Sequence, residues 1–144
     1  MSGMNVKFKY CLIALALFAL CGCGAKENET PPEEDMTINV DFLERHICSR
    51  VSPEITVAYA PHGTKFYDVR LVEYNDGNER FMGGGRWNED GSGLIPEGAL
   101  TRHYQGPCPK KDQRIQYAYI VTAMEDDNAQ PLAVRVHRFT PGEE

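Results

Sequence analysis

Apolar and polar residues alternate along most of this chain with a period of two, the mark of half-buried strands rather than helices. After Thr37, the apolar Ile38, Val40 and Phe42 alternate with Asn39 and Asp41, and Leu43 is the one imperfect position. Glu54–Ala60 reads as a second strand with Ile55, Val57 and Tyr59 on one face. Phe66–Tyr74 is a third, with Tyr67, Val69 and Leu71 inward and Asp68 and Arg70 outward. Asp76-Gly77 predicts a tight hairpin turn, because both residues tolerate positive φ, and Glu79–Met82 then runs back beside the third strand. In Gln116–Met124 both alternation sets are largely apolar, Tyr117, Tyr119, Val121 and Ala123 against Ala118, Ile120 and Met124, as in a strand covered on two faces. Pro131–Phe139 closes the series, with Leu132, Val134 and Val136 alternating against Arg135 and His137.

Glycine and proline punctuate the gaps. Ser49–Pro53 reads as a loop, Ala60–Thr64 as a turn, and Gly106–Pro109 as a rigid turn that fixes the position of Cys108. Gly83-Gly84-Gly85, Arg86-Trp87 and the polar Asn88–Gly93 predict a flexible loop around the single tryptophan. These glycines match neither the P-loop nor the dinucleotide-binding pattern, so a phosphate cradle is not their reading. Pro96–Leu100 allows one turn of helix, weakened by Gly98. Short strands with turns at close intervals predict an all-β domain, an antiparallel β-sandwich with little helix.

That sandwich occupies residues 37–144. Ahead of it, Lys7 and Lys9 precede an apolar run, Leu12–Leu20, too short for a bilayer span of about 20 residues, so residues 1–22 read as a helical export signal. The closing Leu20-Cys21-Gly22-Cys23 resembles the lipobox of bacterial lipoproteins, which makes Cys23 the lipidated first residue; the alternative is a plain signal peptide cut nearby. Gly24, rather than Asp, follows the cysteine, which in the enterobacterial lipoproteins it resembles favours the outer membrane. Residues 23–36 are charged, with Met36 the only large aliphatic side chain after the lipidated cysteine, and read as a disordered tether. The expected place is a bacterial cell envelope, lipid-anchored and facing the periplasm.

Processing there leaves Cys48 and Cys108 in an oxidising compartment, where two thiols usually pair; two separately buried thiols are the alternative. Loss of Lys7 and Lys9 leaves 13 basic against 21 acidic residues, a net charge near −8. An acidic domain without a basic stripe argues against nucleic acid as a partner.

Four pieces of the chain together resemble the phosphatidylethanolamine-binding protein family, in particular its bacterial Raf-kinase-inhibitor-like branch. They are Cys48 with Ser52-Pro53, Ala60-Pro61-His62-Gly63-Thr64-Lys65, Pro96-Glu97-Gly98, and Tyr104-Gln105-Gly106-Pro107-Cys108-Pro109, with Tyr117 and Ala123 falling on the family's last long strand. The resemblance implies a β-sandwich with a small surface cavity for anionic groups such as phosphate heads. It places the ligand-lining residues at Arg86, Trp87, Tyr104, Tyr117 and Asp76, with Arg86 as the anion-binding group. The departures fall on that cavity: Glu73-Tyr74-Asn75-Asp76 stands for the family's Asp-Pro-Asp, Arg86-Trp87 for its His-Trp, and Ile115-Gln116-Tyr117 for its His-Arg-Tyr.

Catalysis has little in its favour. Ser92 lies outside a nucleophile elbow, and Cys48 or Cys108 beside His46 or His103 could act as a nucleophilic pair or a zinc site only if the cysteines stay reduced. The expectation is therefore a membrane-anchored binding protein, not an enzyme, without metal or cofactor, taking a small anionic ligand. The alternative is a protein-interaction or envelope-structural sandwich that has lost the pocket, with an envelope protein as partner.

Overall fold

The computed structural model describes residues 34–143. The export signal, Cys23 and most of the tether lie outside the described residues. The strands are β1 (Thr37–Asp41), β2 (Glu54–Ala58), β3 (Phe66–Asn75), β4 (Asn78–Asn88), β5 (Leu94–Ile95), β6 (Gln116–Met124) and β7 (Ala133–Phe139), with a 3-10 turn at Glu44–His46. They form two antiparallel sheets, β1-β2-β5 and β4-β3-β6-β7, and both contribute to one apolar core. The all-β antiparallel sandwich expected from the alternation is the fold.

Strands β3 and β6 are its centre. Tyr67, Val69 and Leu71 pair with Ala123, Val121 and Tyr119, and all six side chains are fully buried. Val40, Ile55, Val57 and Ile95 of the smaller sheet join the same core. Full burial of such side chains contributes about 1.5–3 kcal/mol each, so this alternation is the main source of stability. Between β3 and β4, Asp76 (φ 49°) and Gly77 (φ 78°) hold the positive φ that a two-residue hairpin turn requires. Cys48 and Cys108 are joined as a disulfide with Cα atoms 4.5 Å apart.

The structure departs from the sequence expectations at six places. Gly83-Gly84-Gly85 is not a loop: β4 runs through it to Asn88. The glycines are needed because a Cβ on Gly83 would lie 2.4 Å from the His103 carbonyl oxygen and one on Gly84 1.9 Å from that of Val69. Residues 102–104 cross β4 at this point, Arg102 exchanging two backbone hydrogen bonds with Gly84 (2.8 and 2.9 Å). At Pro96–Leu100 there is a turn rather than a helix, and Gly98 takes φ 80°. Tyr59, expected on the buried face of β2, follows the strand's end at φ 55° and is exposed. Met36, assigned to the tether, is buried in the core.

The fifth departure concerns covers. The inner face of β6 is closed by the smaller sheet, whereas its outer face keeps Ile120 and Met124 only half-buried. On that outer face guanidinium groups lie over aromatic rings, Arg86 over Phe66 (3.5 Å), Arg70 over Phe81 and Arg138 over Tyr74 (both 5.5 Å), so arginine stems do part of the covering. In the sixth, strand β7 turns Val134 and Val136 to solvent and Arg135, His137 and Phe139 inward. Phe139 sets this choice: it stacks on Tyr119 (5.5 Å between centroids, 6° between planes) and meets Phe42 at 4.7 Å. A strand with one face buried cannot present both sets, and the aromatic anchor outweighs two valines.

Candidate functional site

Three loops converge on the disulfide. The Cys48 N–H donates to the Pro107 carbonyl (2.8 Å), that of Gly106 to Ser49 (2.7 Å), and that of Gly98 to Ser52 (2.9 Å), while the Ser52 hydroxyl accepts from the Leu100 N–H (3.2 Å). The buried His46 locks the same region. Its Nδ1 accepts the Leu43 N–H (2.9 Å), so Nε2 carries the proton and donates to Glu97 Oε1 (3.0 Å). Arg45 forks onto the same carboxylate at 3.0 and 3.1 Å. Held by the Arg45 guanidinium first and His46 second, Glu97 has its pKa lowered to about 2. Three of the four segments that carried the family resemblance thus form one loop cluster.

Of the predicted ligand residues, Tyr104 and Tyr117 belong to the sandwich interior. The Tyr104 hydroxyl shares a 2.6 Å hydrogen bond with that of Tyr119; burial pushes the Tyr104 pKa up to about 12 and that of Tyr119 further upward. The Tyr117 hydroxyl is buried beside the Glu73 carboxylate and the Cys108 backbone without completing a hydrogen bond. Burial, and then the Glu73 charge, raise its pKa to about 12. Trp87 pairs with Tyr67 and packs against the core, its indole Nε1 buried without a partner.

Arg86 stands on the other face of the sheet. Its register partner is Asp68, an outward position, and its guanidinium is committed to Asp127 (2.6 Å) and to the Phe66 ring. Asp76 is at the tip of the β3–β4 hairpin, exposed. The structure therefore brings Tyr104, Tyr117 and Trp87 to the inner face and leaves Arg86 and Asp76 apart from them. Along β3 the Arg86 and Tyr117 partners, Asp68 and Glu73, are separated by roughly 17 Å at the usual strand rise.

Sequence reasoning passed over Glu73 and Arg80. Glu73 is nearly buried, and Arg80 forks onto it at 3.1 and 2.9 Å, holding its carboxyl below the usual range. The signal was present: a two-residue turn at Asp76-Gly77 puts Glu73 directly opposite Arg80.

Among the clefts that open on the described residues are these three. One of about 560 Å³ lies between Phe42, Ile47 and Phe139; one of about 310 Å³ lies beside Tyr67 and Glu89; one of about 460 Å³ runs from Arg50 to Gln105. Of the predicted residues only Tyr104 lines any of the three. Nucleophilic or zinc chemistry would need reduced thiols at positions 48 and 108, and these are oxidised to one disulfide. No protein-family model and no curated protein matches the chain.

Proposed function

We propose that this chain is a lipid-anchored, non-catalytic binding protein of the bacterial envelope, a rigid sandwich that recognises another envelope component through its surface rather than through an internal pocket. One observation carries this: Arg86 is on the opposite face of a filled sheet from Tyr104 and Tyr117, and its charge is already met by Asp127. A pocket built from that set would need the arginine to pass through the core. The kinship with the phosphatidylethanolamine-binding protein family belongs to the same proposal. It is supported by the meeting of Cys48, Ser52, Gly98 and Gly106, four of its motif residues, in one hydrogen-bonded cluster.

The test is native mass spectrometry and in-cell crosslinking of the protein taken from its own membranes. A crosslinked envelope protein at defined stoichiometry, lost when Val134 and Val136 on the outer face are changed to Lys, is the expected result. A monomer that retains only a small molecule overturns the reading. For the anchor, Cys23→Ala should release the domain from membranes or block processing; a wild-type protein that is soluble with an unmodified N-terminus contradicts it.

A further inference from the structure

We propose that the cleft between the Arg50 loop and the Thr101–Gln105 segment binds an oxyanion, a phosphate monoester or carboxylate borne on a small polar molecule. This goes beyond the surface-recognition reading and depends neither on the lipid anchor nor on a protein partner. The cleft holds about 460 Å³, within the ordinary range for small-ligand sites. Arg50, Thr101, His103 and Gln105 line it together with the buried Leu100 and Tyr104.

Charge singles the cleft out. Every other arginine among the described residues is paired with a carboxylate or lies over an aromatic ring. Arg50 makes no ion pair, hydrogen bond or ring contact among the described residues, in a chain whose formal net charge is −6. The carboxylate nearest in sequence to the cleft wall at Gly98, that of Glu97, is taken up by Arg45 and His46. The polar side chains that remain are an arginine fork, a hydroxyl, an imidazole and a carboxamide, all able to donate and none an obligate acceptor, which is the complement of an oxyanion. The backbone N–H groups of Thr101 and His103 also donate to no protein acceptor among the described residues.

Both walls are held before any ligand arrives. Arg50 follows Cys48 of the disulfide by two positions, and its neighbour Ser49 accepts the Gly106 N–H. In the Thr101–Gln105 segment, Arg102 is bonded twice to Gly84, Gln105 N–H donates to Met82 (2.9 Å), and His103 is set at φ 52° where the segment crosses Gly83. Pre-set walls reduce the ordering cost of binding.

The test is calorimetric titration of the whole chain, purified in a detergent without phosphate, with glycerol 3-phosphate and citrate as soluble anions and phosphatidylglycerol vesicles as the lipid arm. We expect at least one soluble anion to bind, Arg50→Ala or Arg50→Gln to weaken it by about tenfold to a hundredfold, and Arg86→Ala to leave it unchanged. Arg50 is exposed and unpartnered, so both variants should melt at the wild-type temperature. No binding of either soluble anion, binding to vesicles alone, equal affinity in the Arg50 variants, or an equal loss in Arg86→Ala would each overturn the proposal.

Discussion

The hydroxyls of Tyr104 and Tyr119 meet at 2.6 Å inside the sandwich, each serving as the other's hydrogen-bond partner, with no other side-chain hydrogen bond to either among the described residues. That relationship joins the crossing segment before the Gly106 turn to the central strand β6. Removing one hydroxyl strands the other in an apolar setting, at a cost of about 1–3 kcal/mol, whereas removing both takes away the pair together. Tyr104→Phe and Tyr119→Phe should each lower urea-unfolding stability, and the double variant should lose less than the sum of the two. Strict additivity would show that the hydroxyls act independently.

The disulfide closes a loop of 60 positions, so it chiefly limits the unfolded chain. Both cysteines are exposed, and a reductant should reach them without unfolding. Cys48→Ser, or reduction of the wild type, should lower stability by about 2–4 kcal/mol in equilibrium unfolding. The loops should loosen as well, because Cys48 and Gly106 are bonded across the same junction. An unchanged melting temperature under reductant would remove the disulfide from the list of stabilising elements.

Local alternation made most of the strands legible. Gln116–Met124 has the predicted bounds, and the inward set of β3 is the predicted one. Legibility ended where a distant segment decides. Nothing near Gly83–Gly85 says that residues 102–104 will lie against them, so a glycine run that serves close backbone approach looks like a flexible loop. Strand β7 misleads for a related reason, since Phe139 has one apolar vote in the local pattern but three aromatic neighbours in space, Phe42, Tyr117 and Tyr119. The ligand set suffered most. Arg86 and Trp87 are adjacent in sequence, and a strand sends adjacent side chains to opposite faces, so treating their segment as a loop hid the separation of Arg86 from the tyrosines.

Gly84 is the most demanding of these glycines. An added methyl would overlap the Val69 carbonyl, and neither backbone can retreat without breaking β3–β4 pairing or the Arg102 bridge. Gly84→Ala should therefore cost at least the roughly 1–3 kcal/mol of an overpacked core. Gly91→Ala is the comparison: unlike Gly84 it has positive φ (89°), but a Cβ there meets nothing within 4 Å, so its cost is backbone strain alone. If the two variants melt at the same temperature, the Val69 carbonyl of β3 does not approach Gly84 closely enough to exclude a methyl group.

The Glu73–Arg80 pair links the hairpin to the buried Tyr117 and predicts how the fold responds to acid. Arg80 hydrogen bonds hold the Glu73 carboxyl below its usual range against the opposing effect of burial. A carboxylate whose pKa is lower in the folded than in the unfolded chain adds stability that is fully present above the unfolded value, about 4.3. That stability is lost as the pH falls through the depressed folded value. Removing Arg80 leaves a nearly buried carboxylate with only the Tyr117 phenol beside it. Arg80→Ala should then lower stability at pH 7 by about 1–3 kcal/mol. Once the pH has fallen below that depressed folded value the variant and wild type should converge, because both then carry a protonated Glu73. The exposed Glu97, depressed by Arg45 and His46, adds a second acid-sensitive contribution of the same sign. Both proteins should therefore be measured in the Glu97→Gln background. Urea unfolding at a series of pH values from 7 down to 2 reads the difference directly. A gap between the two proteins that stays constant across that range would mean that Arg80 stabilises the hairpin by packing its stem, not by holding the Glu73 charge.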